Sequence, residues 1–175
     1  MCTDGAYPVA GLVQATSGDL YGTTSGGGAG GANGAGTAFK ITPNGTLTTL
    51  YSFGLTEGGY SPSSALVQAT NGDFYGTLYG GARYNLGTVF SLSVGLGPFV
   101  ETLTTSGKVG AAVEILGTDL TGATSVTFNG TAATFTVLSQ TLITTTVPAG
   151  ATTGTIQVVT PSATLLSNVP FRVLP

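Results

Sequence analysis

Residues 12 to 23 read LVQATSGDLYGT and residues 66 to 77 read LVQATNGDFYGT, identical at ten of twelve positions across a spacing of 54. The correspondence runs outward from this block. Pro8 matches Pro62, Gly26-Gly27 match Gly80-Gly81, and after a three-residue deletion Gly36, Thr37 and Phe39 match Gly87, Thr88 and Phe90. A duplication of this length restricts the fold to one built from two like units.

Each unit reads as short strands separated by tight turns. Leu12 to Ala15 lead into Ser17-Gly18-Asp19, a triplet suited to a turn, and Leu20 to Thr23 return. Thr37 to Ile41, then Pro43-Asn44-Gly45, then Leu47 to Tyr51 form a second hairpin, because Asn-Gly between alternating strands favours reversal. Four antiparallel strands in about 50 residues is the size of one propeller blade. No segment carries a useful helical period.

The second unit departs from the first at its end, where ITPNGTLTTLYSF gives way to LSVGLGPFVETL and the hairpin turn disappears. Its fourth strand is therefore expected to be missing or supplied from elsewhere, leaving an unpaired edge. Two blades do not close a ring that needs about four to eight. Residues 1–97, divided as 4–57 and 58–97, are expected to be part of an incomplete propeller or an open sheet, with other β repeats or another chain as partner at the open blade edge.

From Pro98 the pattern changes. Strand candidates recur at Phe99-Val100, Val113 to Leu116, Val126 to Phe128, Thr134 to Leu138, Leu142 to Val147, Ile156 to Val159 and Phe171 to Leu174. Seven short strands of this spacing predict an immunoglobulin-like β-sandwich over residues 98–175. Alternation turns Val113, Ile115, Val126, Phe128, Phe135, Val137, Ile156, Val158, Phe171 and Val173 inward, and Glu114, Thr127, Gln157 and Arg172 outward. The fold class is all-β throughout.

Composition then removes functions. The 175-residue chain has no His and one Cys, which excludes His-dependent nucleophilic catalysis, His-ligated metals and an intrachain disulfide. Four Lys and Arg against seven Asp and Glu give a net charge of -3, the wrong balance for a phosphate backbone, so no nucleic-acid partner is expected. A hydrophobic fraction of 41% with a mean hydropathy of +0.38 favours folding over disorder. No apolar run is long enough to span a membrane, and the first residues show no signal-peptide pattern. Sparse charge with 29 Gly and 32 Thr suits an extracellular or cell-surface location, which leads to the expectation of a mature piece or fragment of a longer secreted protein.

The residues GLVQATSGDLYGTTSGG and GTAFKITPNGTLTTLYSF place positions 4 to 92 in resemblance to the GloVer tandem repeat of bacterial secreted proteins. Residues 98–175 resemble the IPT/TIG family of immunoglobulin-like domains through Val113 to Leu120, Val126 to Gly130, Val147-Pro148-Ala149-Gly150 and Gly154-Thr155-Ile156. Together the resemblances imply a non-catalytic bacterial surface module for adhesion, scaffolding or carbohydrate contact. The alternative they imply is the accessory region of an extracellular carbohydrate-active enzyme whose catalytic domain lies outside this chain.

Candidate chemistry is sparse. Asp19 and Asp73 occupy equivalent turns, where making the hairpin explains them better than calcium, which wants six or more oxygens. The glycine run from Gly26 to Gly36 lacks the Gly-Lys-Ser/Thr ending of a phosphate loop. Asp4, Asp19, Glu57, Asp73, Glu101, Glu114 and Asp119 sit in no glycosidase-like motif. Lys108 with Glu114 and Asn129 or Asn168 has the residue types of an isopeptide crosslink, but on predicted turns and outward faces, and Cys2 lacks an apolar lipobox. Neither a cofactor nor a metal site is expected.

One contrast between the units points to a ligand. Where unit one has Ser25 followed by Gly, Ala and Asn, unit two has Tyr79, then Arg83, Tyr84 and Asn85. Tyrosine rings stack on sugars or peptides, and Arg and Asn direct hydrogen bonds, so these four residues form the candidate ligand-binding patch, with polysaccharide as the ligand class it suits. The competing reading is that Tyr79 and Tyr84 cover the apolar edge of the open blade.

Overall fold

The computed structural model describes residues 2–29, 34–54, 58–81 and 84–175. Among them all regular structure is β-strand. The chain divides into two compact units, one comprising Met1–Ala69 with Asp73–Leu96 and the other Thr70–Gly72 with Gly97–Pro175.

In the first unit, repeat one is a four-stranded antiparallel sheet of β1 (Val13–Gln14), β2 (Leu20–Thr24), β3 (Thr37–Ile41) and β4 (Leu47–Ser52), in that order. The β1–β2 turn closes with the Ala15 amide donating to the Asp19 carbonyl at 2.9 Å. The β3–β4 turn is held by Gly45 N on Thr42 O at 2.8 Å and by the Thr42 hydroxyl on the Asn44 side chain. Repeat two has β5 (Tyr60–Pro62), β6 (Val67–Gln68), β7 (Phe74–Gly80) and β8 (Thr88–Leu92). Both β5 and β6 pair with β7, at opposite ends of its length, and β8 pairs with β7 in register Phe74 to Leu92 through Leu78 to Thr88. Among the described residues no strand takes the place of β4 beside β8.

The duplication extends to backbone detail. The Ala6–Gly26 bridge of repeat one is the Tyr60–Gly80 pair of repeat two. The amide of Ala69 donates to the Asp73 carbonyl at 2.9 Å, as Ala15 does to Asp19. Tyr7 and Ser61, one repeat apart, both hold the left-handed conformation, at φ 58° and 53°.

Strand pairing sorts each repeat into two faces. In repeat one, Val13, Tyr21, Thr23 and Ala38 lie on one side, and Leu20, Gly22, Phe39 and Ile41 on the other. In repeat two the corresponding sides are Val67, Tyr75, Thr77 and Val89, and Phe74, Gly76, Phe90 and Leu92. The repeats stack with unlike faces together. Tyr21 of the first stacks on Phe74 of the second at 4.3 Å, within a cluster that includes Ala15 and Leu66. Ala38 and Phe53 join Leu78 in an adjoining cluster, and the Phe53 ring meets Phe90 edge-on at 4.9 Å. Gln68 adds a polar tie, its Oε1 accepting from Thr16 N at 3.1 Å.

One glycine in each repeat is required by space. Gly76 faces Phe90 across β7 and β8, and a Cβ there would lie 2.7 Å from the Phe90 ring and 2.9 Å from Leu66. Gly22 stands in the same relation to Phe39 and Leu12. The phenylalanine ring thus covers the glycine and fills the face, an aromatic laid over a strand glycine.

The second unit contains two four-stranded sheets with one core between them. One sheet orders β14 (Phe135–Ser139), β15 (Leu142–Thr146), β11 (Ala112–Leu116) and β9 (Glu101–Thr102); the other orders β13 (Thr131–Ala132), β12 (Ser125–Phe128), β16 (Ile156–Val159) and β17 (Thr164–Leu166). A parallel pair, β10 (Ser106–Lys108) with β18 (Arg172–Leu174), lies beside them. Val113, Ile115, Ile143, Val126, Phe128, Ile156, Val158 and Phe171 are buried in the core, with Phe128 edge-on to Phe171 at 5.3 Å. Phe135, Val137 and Val173 pack against its margin, while Glu114 is exposed.

Two expectations change. Ten strands stand where alternation suggested seven, because β9, β10, β13 and β17 are two or three residues long and too short to show a period. Phe99-Val100 contributes a single bridge, Val100 to Ser167, instead of a strand, though both residues are buried.

Substituting Gly76→Ala should destabilise the first unit by about 1–3 kcal/mol, the cost of overpacking, whereas Gly95→Ala, which meets nothing within 4 Å but has positive φ, should cost less than Gly76→Ala. Phe128→Ala should cost the second unit about 3–5 kcal/mol in chemical denaturation, as expected for emptying a buried aromatic site.

Candidate functional site

The alternation of β7 determines what its end presents. Phe74, Gly76, Leu78 and Gly80 are buried, and Tyr75, Thr77 and Tyr79 between them are exposed. Tyr79 is 76% exposed at the end of the strand, and Tyr84, beyond the turn toward β8, is 73% exposed. The loop is closed by Asn85, whose Oδ1 accepts from Gly81 N at 2.9 Å and whose backbone is left-handed at φ 56°. Gly81 is obligatory there, since a Cβ would come within 2.2 Å of Gly59 Cα.

Of the four residues singled out in the sequence, Tyr79, Tyr84 and Asn85 therefore flank or close one short loop, and Arg83 lies outside the described residues. Asn85 spends its carbonyl oxygen on the loop backbone.

A second feature was not anticipated. A cleft of about 270 Å3 opens beside β4 and β8, lined by Tyr51, Phe53, Leu78, Thr88, Phe90 and Ser91 among others. Phe53 stands at its centre, edge-on to Tyr51 at 5.0 Å and to Phe90 at 4.9 Å. The cleft is slightly below the 300–1,000 Å3 typical of small-molecule sites and suits a single ring or a short segment. Its sequence signal was Tyr51-Ser52-Phe53, which ends the second hairpin and has no counterpart in the second repeat.

Tyrosine is segregated between the units. All seven lie in residues 7–84, and Tyr7, Tyr51, Tyr75, Tyr79 and Tyr84 are exposed there, while residues 97–175 contain none.

The remaining candidates are dispersed. Asp19 forms an ion pair with Lys40 at 3.6 Å. No group of three or more metal-ligating side chains occurs among the described residues. Glu57 is outside them, as is part of the glycine run; the described part forms bridges from Gly26 to Ala6 and from Gly27 to Ala35. Lys108, Glu114, Asn129 and Asn168 are all exposed, and Asn129 Nδ2 donates to Thr152 Oγ1 at 2.9 Å. Cys2 is exposed. No helix among the described residues is long and apolar enough to cross a membrane.

Among solved structures, the chain is similar to SGBP-B from a complex xyloglucan utilization locus in Bacteroides uniformis, with 11% identity over 95% of this chain and a TM-score of 0.35. The chain spans 46% of that protein's length. No curated protein matches it. A family model described as the Gloeobacter/Verrucomicrobia repeat matches residues 1–162, which takes in the first unit and most of the second, and the chain belongs to that repeat family.

Proposed function

We propose that this chain is a non-catalytic module of a secreted or cell-surface protein, and that its first unit contacts polysaccharide through exposed tyrosines. The observation that carries the reading is the segregation of tyrosine: five exposed rings on the first unit, two of them flanking the Gly81–Asn85 loop and one at the rim of the Phe53 cleft. A tyrosine ring offers a flat apolar face and a hydroxyl at small conformational cost, which suits it to the alternating apolar and polar surface of a sugar chain. Threonine and serine hydroxyls, represented at the cleft by Thr88 and Ser91, supply hydrogen bonding without charge.

The second unit is read as the spacer that carries this surface, in keeping with its resemblance to IPT/TIG domains. Its buried apolar residues form one core, and the outward side of β14 and β15 presents Thr136 and Thr144 in register. The absence of His from the whole chain supports a role without catalysis.

Affinity electrophoresis against a panel of neutral plant, algal and bacterial polysaccharides tests the proposal. The wild type should be retarded by at least one of them, and Tyr79→Ala with Tyr84→Ala should weaken binding by roughly tenfold, the loss of about 1.4 kcal/mol of stacking. Retardation by none, or retardation unchanged in this double variant and in Tyr51→Ala, would reject it.

A further inference from the structure

The way the two repeats stack leaves one copy of each stacking face unused. Within the chain, the Tyr21 and Ala38 face of repeat one is buried against the Phe74 and Leu78 face of repeat two. The contact is between unlike faces, so repeat two still presents its own version of the first face and repeat one its own version of the second.

Burial at equivalent positions makes the point quantitatively. Ala38 is 0% exposed and its counterpart Val89 is 68%; Tyr21 is 3% and Tyr75 is 38%. On the other face, Leu66 is 3% exposed and its counterpart Leu12 is 49%. Val67, with Val89 on the outward side of repeat two, is also exposed. Leu12, Phe39, Ile41 and Leu47 line a depression of about 430 Å3 on repeat one. In repeat two, residues equivalent to three of these, Leu66, Phe90 and Leu92, pack in the clusters that receive Tyr21, Ala38 and Phe53.

We infer that these two faces dock a second copy of this chain head to tail, the Val67–Val89 face of one copy seating in the Leu12–Leu47 depression of the next. The internal junction is the template, because the interface continues the same face-to-face packing of the same sequence pattern. Such a contact is heterologous: each added copy uses one face and brings a new one. Repeat two has no counterpart of Phe53, so this contact lacks the edge-on ring that the covalent junction has, and association is concentration-dependent. It differs from pairing along the open β8 edge, which would use backbone groups and leave both faces exposed.

Sedimentation velocity over a rising concentration series decides between them, using the wild type, Val89→Asp and Leu47→Glu. Both positions are exposed in the single chain, so the variants should keep the wild-type circular dichroism, and Val67→Asp with Leu12→Glu repeat the test at independent sites. The wild type should self-associate, and each variant alone should do so at least roughly tenfold more weakly, since a charge would be carried into an apolar contact. An equimolar mixture of Val89→Asp and Leu47→Glu should form a dimer that grows no further, because it joins the one intact face of each. A wild type that stays monomeric, association unaffected by either substitution, an effect confined to one face, or a mixture that fails to pair would each overturn the inference.

Discussion

The stacking of Tyr21 on Phe74 is the contact on which the first unit depends. Each repeat is a thin sheet with two faces, few charges and no disulfide, and a sheet of this size is stable only when one face is covered. The ring pair, with Leu66 and Ala15 around it, supplies that cover for both sheets at once. On the covered face of repeat two, Gly76 carries no side chain, which lets the Phe90 ring lie across it, and Gly22 does the same for Phe39 on the other face of repeat one. The abundance of glycine is thus in part a packing requirement as well as a turn requirement. Buried threonines lie on the other face of repeat one: the Thr24 and Thr37 hydroxyls are 2.8 Å apart, and Thr37 N donates to Thr24 Oγ1 at 3.0 Å, so polar side chains enter the interior with their bonding satisfied.

The consequences for function follow from what this seam leaves outside. With the inward side of β7 taken up by Phe74 and Leu78, its alternate residues project outward, and in the second repeat these include tyrosines. After β7, Gly81 N donates to Asn85 Oδ1, a contact that lies between the Tyr79 and Tyr84 positions. The second unit spends its aromatic residues differently. Phe128 and Phe171 meet inside the sandwich, and no tyrosine lies on its surface. One unit exposes rings and the other buries them, a division of labour consistent with a contact surface and a spacer.

Much of this was legible in the residues. The Ser17-Gly18-Asp19 and Pro43-Asn44-Gly45 turns specified both hairpins of repeat one; repeat two, which lacks the second of these turns, has a four-stranded sheet in which, among the described residues, no strand pairs with β8 as β4 pairs with β3. Alternation named the sandwich core because one face of each strand is buried, as at Val126 and Phe128 against Thr127. The strands β9, β10, β13 and β17 escaped because two or three residues hold no period. The Phe53 cleft escaped because it is made by residues from both repeats, Tyr51 and Phe53 with Thr88, Phe90 and Ser91, whose proximity no local spacing encodes. The family match to residues 1–162 reaches well beyond the stretch 4 to 92 on which the resemblance was visible, since the later residues lack the repeated block.

By itself the sequence determined the class and the elements: an all-β chain, a duplicated unit of hairpins and a different, alternating sheet pattern after it, because turn chemistry and period-two hydrophobicity act over a few residues. Only the tertiary structure decided which face of each repeat is covered. Tyr21 and Tyr75 occupy the same place in the same motif, yet one is buried and the other exposed. The physical reason is that a strand's two faces are equivalent until a neighbour covers one, and that choice is made by packing between units distant in the chain.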